Sequence, residues 1–212
     1  TIITEDPSLK EMLIKNSYDQ IYAEHMYIWS LNSMNSLFGK YGMEIYNVEN
    51  NEFHGGCTRY YIAKKNMKKI SKEVFKHMKI ENKLAINKMS TYKKFNKRTI
   101  DSKNKLKNFL NKLKEKKKII VGYGAPAKST TVLNYCGLNS SIIDKIFDNS
   151  ETKIGKYTPG KSLIYIENSN NFNLYKSDYC VLFAWNHQKE ILKKEKIYNG
   201  KWIIPVPKLK VI

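Results

Sequence analysis

The chain has 212 residues, of which 42% are hydrophobic, and it carries a formal net charge of +19. This length and apolar fraction suffice for one large domain or two small ones, and they argue against wholesale disorder. No run of about 18 apolar residues occurs, so the sequence predicts no membrane-spanning helix, and no signal peptide is expected.

The positive charge comes almost entirely from lysine, because only Arg59 and Arg98 are arginines. Proteins that recognise bases or phosphates by paired hydrogen bonds usually do so with arginine. The lysines are concentrated between Lys64 and Lys118, where they are typical of solvated helix faces. A basic nucleic-acid-binding module therefore stays open only as an alternative, beside a diffuse attraction for phosphates.

The three cysteines, Cys57, Cys136 and Cys180, are widely spaced, and no pair has the CxxC spacing of a zinc site. We therefore predict no metal site within this chain. Their odd number favours a reducing, cytoplasmic environment.

Residues 1–64 alternate strands with helices, which is typical of an α/β unit. Residues 1–4 predict a buried strand, and residues 7–15 predict a helix with Asp6 as N-cap and Pro7 in its first position. A second helix is predicted over 31–41, capped by Ser30 and ended by Gly42. Residues 43–49 and 58–63 alternate as two paired strands.

Residues 65–117 are rich in lysine and have helical periodicity. The apolar stripe comprises Ile70, Val74, Met78, Phe95, Leu106, Phe109, Leu110 and Leu113. It predicts a pair of helices that links two α/β units.

Residues 118–212 return to alternating strands and helices. Strands are expected over 119–123, 145–147, 162–166, 179–184 and 202–206, and helices over 129–136 and 187–195. This order favours an α/β fold with a Rossmann-like parallel sheet. We therefore predict a partial α/β domain over 1–64, a helical linker over 65–117 and a Rossmann-like nucleotide-binding domain over 118–212.

A glycine-rich turn follows the strand predicted over 119–123. Gly122 and Gly124 fit the pattern G-x-G-x-x-A, and Asp148 follows about 20 residues later, as in dinucleotide-binding proteins. The candidate anion-binding side chains at the start of the next helix are Lys128, Ser129 and Thr130. A glycine-rich turn that binds nothing stays possible.

A second candidate site is Tyr22-Ala-Glu24-His25. A histidine beside a carboxylate and a phenol has the composition of a general base that works near neutral pH. A packed, hydrogen-bonded histidine is the alternative, since the surrounding segment is aromatic.

Two further segments carry candidate binding residues. In His54-Gly-Gly-Cys-Thr-Arg59, the guanidinium of Arg59 could hold a phosphate or carboxylate, with a surface ion pair as the alternative. Trp185 and Asn186 end the strand predicted over 179–184, where open α/β sheets bind ligands. Trp185 could cover a base or sugar, whereas Asn186 could instead cap the next helix.

Several segments, taken together and in order, resemble the sugar-nucleotide C-methyltransferase family. They are YDQIYAEH (18–25), HGGCTRY (54–60), VGYGAPAKSTTVLNYCG (121–137), KYTPG (156–160), FAWNH (183–187) and WIIPVP (202–207). The first two resemble the end of the family's methyltransferase domain, and the others resemble its C-terminal Rossmann-like domain.

The resemblance implies S-adenosylmethionine-dependent methylation of a carbon beside the carbonyl of a nucleoside-diphosphate keto-sugar, as in deoxysugar biosynthesis. It implies that His25 is the base that forms an enolate, with Glu24 and Tyr22 orienting it or steadying the enolate. The sequence departs from the family pattern at Ala23, often polar there, and at Cys57, more often serine.

The resemblance also implies a longer protein, with a zinc-binding domain and the S-adenosylmethionine loop N-terminal to Thr1. We expect S-adenosylmethionine to be bound mainly outside this chain, and the chain alone to be inactive. The glycine-rich turn would then contact a sugar nucleotide rather than NAD. An NAD-dependent oxidoreductase and a non-catalytic sugar-nucleotide-binding module remain the alternatives.

Overall fold

The computed structural model describes residues 1–52 and 55–212, which form two compact units, Thr1–Arg98 and Thr99–Ile212. We refer to them as the first and second units. The longest helix contributes residues to both. The three-part division into 1–64, 65–117 and 118–212 stays a prediction.

The first unit contains a three-stranded antiparallel sheet with helices around it. Its elements are β1 (Ile2–Pro7), α1 (Leu9–Lys15), α2 (Leu31–Gly39), β2 (Met43–Asn51), β3 (Cys57–Lys64) and α3 (Lys72–Leu84), followed by the start of α4 (Met89–Glu115). The sheet order is β1-β3-β2. The predicted strand pair 43–49 with 58–63, and the two lysine-rich helices, are therefore confirmed.

The start of the first unit differs from the prediction in two respects. β1 lies at the edge of the sheet, and Ile2 and Ile3 are 41% and 57% exposed rather than buried. The strand continues through Pro7, so α1 begins later, with Ser8 and not Asp6 as its N-cap. Ser30 does cap α2, through a reciprocal pair of hydrogen bonds with Ser33.

The core of the first unit contains a buried carboxylate. The apolar residues packed there are Leu31, Met34, Ile45, Val48, Tyr60, Ile62 and Val74. Glu81 of α3 is fully buried beside them and accepts hydrogen bonds from the Leu31 and Asn32 amides, at 2.7 and 3.1 Å. The carboxylate thus satisfies the free N–H groups and the partial positive charge at the start of α2.

The second unit contains a six-stranded sheet. Its elements after the end of α4 are β4 (Ile120–Tyr123), α5 (Ala127–Cys136), β5 (Ile146–Asp148), β6 (Ile166–Asn168), β7 (Tyr179–Leu182), α6 (Gln188–Lys194), β8 (Lys201–Ile204) and β9 (Lys210–Val211). The strand order is β6-β5-β4-β7-β8-β9. All neighbours are parallel except β9, which pairs antiparallel with β8. The predicted α/β fold with a Rossmann-like sheet is confirmed.

The order in which the strands follow one another along the chain reverses between β4 and β7, which are parallel neighbours in space but not consecutive in sequence. In open parallel sheets, a crevice opens outside the carboxyl ends of the strands at such a reversal, and ligands bind there. Aromatic packing below it is dense, with Tyr123, Phe147, Phe172 and Trp202 in one cluster. None of the helices in the described part of the chain is long and apolar enough to cross a membrane.

Candidate functional site

His25 forms a hydrogen bond through each nitrogen of its ring. Nδ1 lies 2.8 Å from the carbonyl oxygen of Gln20, and Nε2 lies 2.7 Å from the phenolic oxygen of Tyr22. A turn closed by the His25 amide and the Tyr22 carbonyl brings the two side chains together, with their ring centroids 3.9 Å apart. The sequence segment predicted as a base site is thus a built pair.

These partners determine where the proton of the neutral imidazole resides. A carbonyl oxygen can only accept, so Nδ1 must donate to Gln20. Nε2 then carries the lone pair and accepts from the Tyr22 hydroxyl. This tautomer leaves Nε2 as the basic atom of the site.

The charge around Tyr22 keeps its hydroxyl protonated. Burial, and then the nearby carboxylates of Glu24 and Asp19, raise the pKa of the Tyr22 phenol. Glu24 itself is exposed and acts on Tyr22 through its charge. At neutral pH Tyr22 can therefore donate a hydrogen bond to His25.

Asp6 lies near this pair and was not predicted as a site residue. Burial raises the pKa of its carboxyl group, while the positive charge of a protonated His25 lowers it in opposition. Asp6 belongs to β1 and is distant from His25 in sequence, so no local sequence signal indicates it.

The segment that begins at Gly55 packs against α1 and the residue before it. His54, which belongs to a predicted binding segment, lies outside the described residues. The Gly56 carbonyl accepts from the Ser8 amide at 3.1 Å, and Gly56 adopts a φ of +131°. A Cβ there would lie 2.7 Å from the Glu11 side chain, so the close approach requires glycine.

Arg59 forms ion pairs across the antiparallel sheet. Its guanidinium lies 2.7 Å from Glu5 and 3.5 Å from Glu49, which are its register partners on β1 and β2. This is the surface ion pair that the sequence left open as the alternative. A phosphate or carboxylate ligand at Arg59 stays a prediction and would have to compete with two carboxylates.

In the second unit, the two glycines of the turn serve close packing. A Cβ on Gly122 would lie 2.8 Å from both Ile146 and Phe183. Gly124 has a φ of +82°, and its Cβ would lie 2.8 Å from that of Ala184, just after β7. The turn therefore packs directly against the end of the neighbouring parallel strand.

The other predicted residues of this turn are only partly accessible. Lys128 is buried, with its ammonium 5.2 Å from the centre of the Trp185 ring, so two predicted segments meet here. Ser129 is buried and its hydroxyl donates to the Pro126 carbonyl at 2.7 Å. Thr130 and Asn186 are half-buried. Asn186 lies in a short 3₁₀ turn before α6, which has no side-chain cap.

A cavity of about 570 Å³ opens where the strand order reverses, at the carboxyl ends of β4, β5 and β7. Gly124 and Asp148, two residues of the glycine-rich fingerprint, line it. Its other polar residues were not predicted as site residues: Tyr123, Asn149, Ser150, Lys153, His187, Glu190 and Lys194. They come from three separate strand ends, so their meeting depends on the order of the strands.

Within the described residues, no group of three or more His, Cys, Asp or Glu side chains is arranged to hold a metal ion. The three cysteines are buried and not paired in disulfides.

The strand order and the crevice define the second unit as Rossmann-like. The model of the family described as the C-methyltransferase C-terminal domain matches residues 52–207. This chain belongs to that family.

A curated relative is similar over almost the whole chain. C-methyltransferase NovU of Streptomyces niveus is 31% identical over 212 residues, covering 98% of this chain and 50% of the relative. The chain thus spans about half the length of this relative. Neither comparison supports the zinc site that the resemblance implies, and we do not propose it.

Proposed function

We propose that this chain is part of an S-adenosylmethionine-dependent C-methyltransferase that acts on a nucleoside-diphosphate keto-sugar. Membership of the C-methyltransferase C-terminal domain family and the similarity to a C-methyltransferase support the class of reaction. The observation that carries the mechanism is the hydrogen-bonded pair of His25 and Tyr22, with Nε2 as the basic atom.

His25 would remove the proton from the carbon beside the sugar carbonyl. The C–H bond breaks, the proton goes to Nε2, and the electron pair is delocalised onto the carbonyl oxygen as an enolate. The Gln20 carbonyl continues to accept from Nδ1, so the resulting imidazolium keeps a partner on that side. S-adenosylmethionine would supply the methyl group to the enolate carbon, and we expect its binding residues mainly outside this chain.

Tyr22 would take part in both protonation states of His25. Its hydroxyl donates to Nε2 before proton transfer, and its oxygen can accept from the protonated ring afterwards, at the same 2.7 Å separation. Because the pKa of its phenol is raised, Tyr22 is not itself the ionised base at neutral pH. The substrate proton can reach Nε2 directly if the Tyr22 side chain rotates away. Alternatively, the Tyr22 oxygen takes the substrate proton while the Tyr22 hydroxyl gives its own proton to Nε2.

The second unit would hold the nucleotide part of the substrate where the strand order reverses between β4 and β7. Gly124 lines the cavity there, and Lys128 and Trp185 meet close to the same loop. Ser129, Thr130 and Asn186 remain proposed contacts. No nicotinamide cofactor is included in this function.

The test of the base is His25→Asn in an active enzyme that contains this chain. The asparagine amide can replace Nδ1 as donor to Gln20 but offers no basic nitrogen, so kcat should fall by about 10²–10⁴ with little change in KM. Unchanged turnover would refute the base. If a longer protein containing this chain bound the sugar nucleotide but showed no turnover before any substitution, a non-catalytic binding module would be supported instead.

A nicotinamide-dependent oxidoreductase is the second candidate, because the spacing from Gly122 to Asp148 fits the dinucleotide pattern. Titration with NADH, followed by its fluorescence, separates the two functions. We expect no saturable change; a saturable one would favour the oxidoreductase.

A further inference from the structure

Asp148 ends β5 and uses both of its carboxylate oxygens on backbone amides. One accepts from the Ala125 N–H at 2.6 Å, and the other accepts from the Ser150 N–H at 2.8 Å. The residue is only 8% exposed. In dinucleotide-binding proteins an acidic residue at this position binds a ribose hydroxyl. Here it joins the glycine-rich turn to the segment that follows β5.

This arrangement leaves the tip of the turn without N–H groups for a phosphate. The Gly124 amide donates to the Phe147 carbonyl at 2.7 Å, the Ala125 amide donates to Asp148, and Pro126 has no N–H. The residues 124–126 of the turn therefore offer no free N–H group to a pyrophosphate.

The same carboxylate helps to position a lysine that lines the cavity. Ser150, held by Asp148, accepts at its carbonyl from the amides of Lys153 and Ile154, at 2.9 and 3.1 Å. Lys153 is half-buried and lines the cavity. In the described part of the chain, no carboxylate forms an ion pair with its ammonium group. A half-buried ammonium without a counter-ion favours an anionic ligand.

Lys194 lines the cavity as well, but it is partly engaged. Its ammonium lies 3.5 Å from Glu195 and donates to the Tyr123 hydroxyl at 3.3 Å. It can thus contribute charge to the cavity while being held in place, whereas Lys153 has its full charge to offer.

We propose that the phosphate groups of the ligand bind in this cavity against Lys153, with Lys194 in support, and that Asp148 is the positioning residue that closes the glycine-rich turn against them. The inference rests on the proposed function in taking the ligand to carry a diphosphate. The proposal places the anion-binding group in the segment after β5. The glycine-rich fingerprint, in contrast, would place anion binding on the turn after β4.

Calorimetric titration of the 212-residue chain with inorganic pyrophosphate tests the site. Lys153→Gln should weaken binding by about tenfold or more, because one charge-assisted hydrogen bond is lost. Lys194→Gln should weaken it by less. The matched control is Lys189→Gln, which removes the same charge from an exposed position of α6 outside the cavity and should leave binding within about twofold.

Amide chemical shifts measured in the same titration identify the surface used. We expect pyrophosphate to shift the amide resonances of Ser150–Lys153. In a separate hydrogen-exchange measurement, we expect the Ala125 amide to be protected in the wild type but not in Asp148→Ala. Unaltered affinity in Lys153→Gln, no pyrophosphate binding at all, or shifts confined to residues 124–128 would each overturn the inference. None of these results depends on methyl transfer. The role of His25 as the base is therefore tested independently of this site.

Discussion

His25 has two ring nitrogens, and the fold gives each of them a different partner. The backbone carbonyl of Gln20 holds one, and the hydroxyl of Tyr22 occupies the other. The Gln20 carbonyl favours the tautomer with its proton on Nδ1. Nε2, which accepts from the Tyr22 hydroxyl, is then the basic atom. The orientation of His25 therefore depends on a backbone group as much as on the side chains of its motif.

The role of Tyr22 can be measured with Tyr22→Phe in an active enzyme containing this chain. The ring contact with His25 is retained, but the hydrogen bond to Nε2 is lost. We expect kcat to fall by about tenfold, corresponding to one hydrogen bond of ordinary strength. Tyr27→Phe is the matched control, since Tyr27 lies in the same segment and is 65% exposed. Equal kcat values for the two variants would contradict the role of Tyr22.

The sequence predicted the residues of this pair but not its geometry. Tyr22, Glu24 and His25 stand out because the three residue types form a motif, whereas the Gln20 carbonyl carries no side-chain signal. Asp6 could not be predicted for a different reason: it is distant from His25 in sequence, and only the fold brings the two together. Whether these residues act in catalysis stays a prediction.

At the level of elements, the glycine-rich turn illustrates two uses of glycine. Gly124 adopts a positive φ, while Gly122 lies inside β4 and leaves room for Ile146 and Phe183. Both reasons concern packing of one strand end against another, and neither needs a ligand. The motif is therefore compatible with a Rossmann-like sheet that binds no dinucleotide.

Gly122→Ala should destabilise the second unit by about 1–3 kcal/mol, because the added Cβ overpacks the sheet. The measurement is the free energy of unfolding in urea. Gly39→Ala provides the control, since a Cβ at that helical position meets nothing within 4 Å and should be neutral or slightly stabilising. A Gly122→Ala variant as stable as the wild type would show that the sheet relaxes around the methyl group.

The opposite end of the sheet depends on a carboxylate whose protonation can be followed. Asp178 accepts from the Ile119 amide at 2.8 Å and from the Lys118 ammonium at 2.9 Å, joining the starts of β4 and β7. The amide and then the lysine lower the pKa of this carboxyl below its usual value of 3.8.

A lowered pKa means that Asp178 stabilises the fold above the unfolded pKa, and that this contribution is lost as the pH falls through the folded pKa. Asp178→Asn should therefore lower the melting temperature at pH 7, with the difference shrinking below pH 3.8. Asp101→Asn, an exposed change on α4, should have little effect at either pH. A difference that stayed constant with pH would rule out the ionised group as its source.

The alternation of elements was predictable because strand and helix periodicities differ. The cap at Ser30 was correct, whereas α2 ends at Gly39 rather than at the predicted Gly42. The position of the first N-cap was not, because Asp6 and Ser8 are both good caps and β1 continues through Pro7. The antiparallel strand β9 has only two residues, too few to show a period. Lys153 and Lys194 could not be predicted as cavity residues, because their meeting depends on the order of the strands in the sheet, and no local sequence pattern indicates that order.

For the whole molecule, the charge of +19 is the property most easily misread. Lysines cover exposed positions of α3 and α4, and some are paired with acids, as Lys76 is with Glu73. Such a surface attracts any polyanion through long-range charge, without selecting a sequence.

We therefore expect weak binding to a fluorescently labelled DNA duplex at 50 mM salt that falls by about 10³-fold or more at 200 mM, measured by anisotropy. A peptide nucleic acid of the same base sequence, which lacks phosphates, is the control and should not bind. Affinity that persisted at 200 mM would revive the nucleic-acid-binding alternative.

The buried carboxylate of Glu81 has a consequence for how the gene can be divided. It lies on α3, yet it supplies the hydrogen-bond acceptors for the start of α2, some 50 positions earlier. A gene shortened to end after Lys64 would encode every strand of the small antiparallel sheet but leave those amides without their acceptor. We expect its product to be recovered in inclusion bodies, whereas one extending through α3 would keep the acceptor.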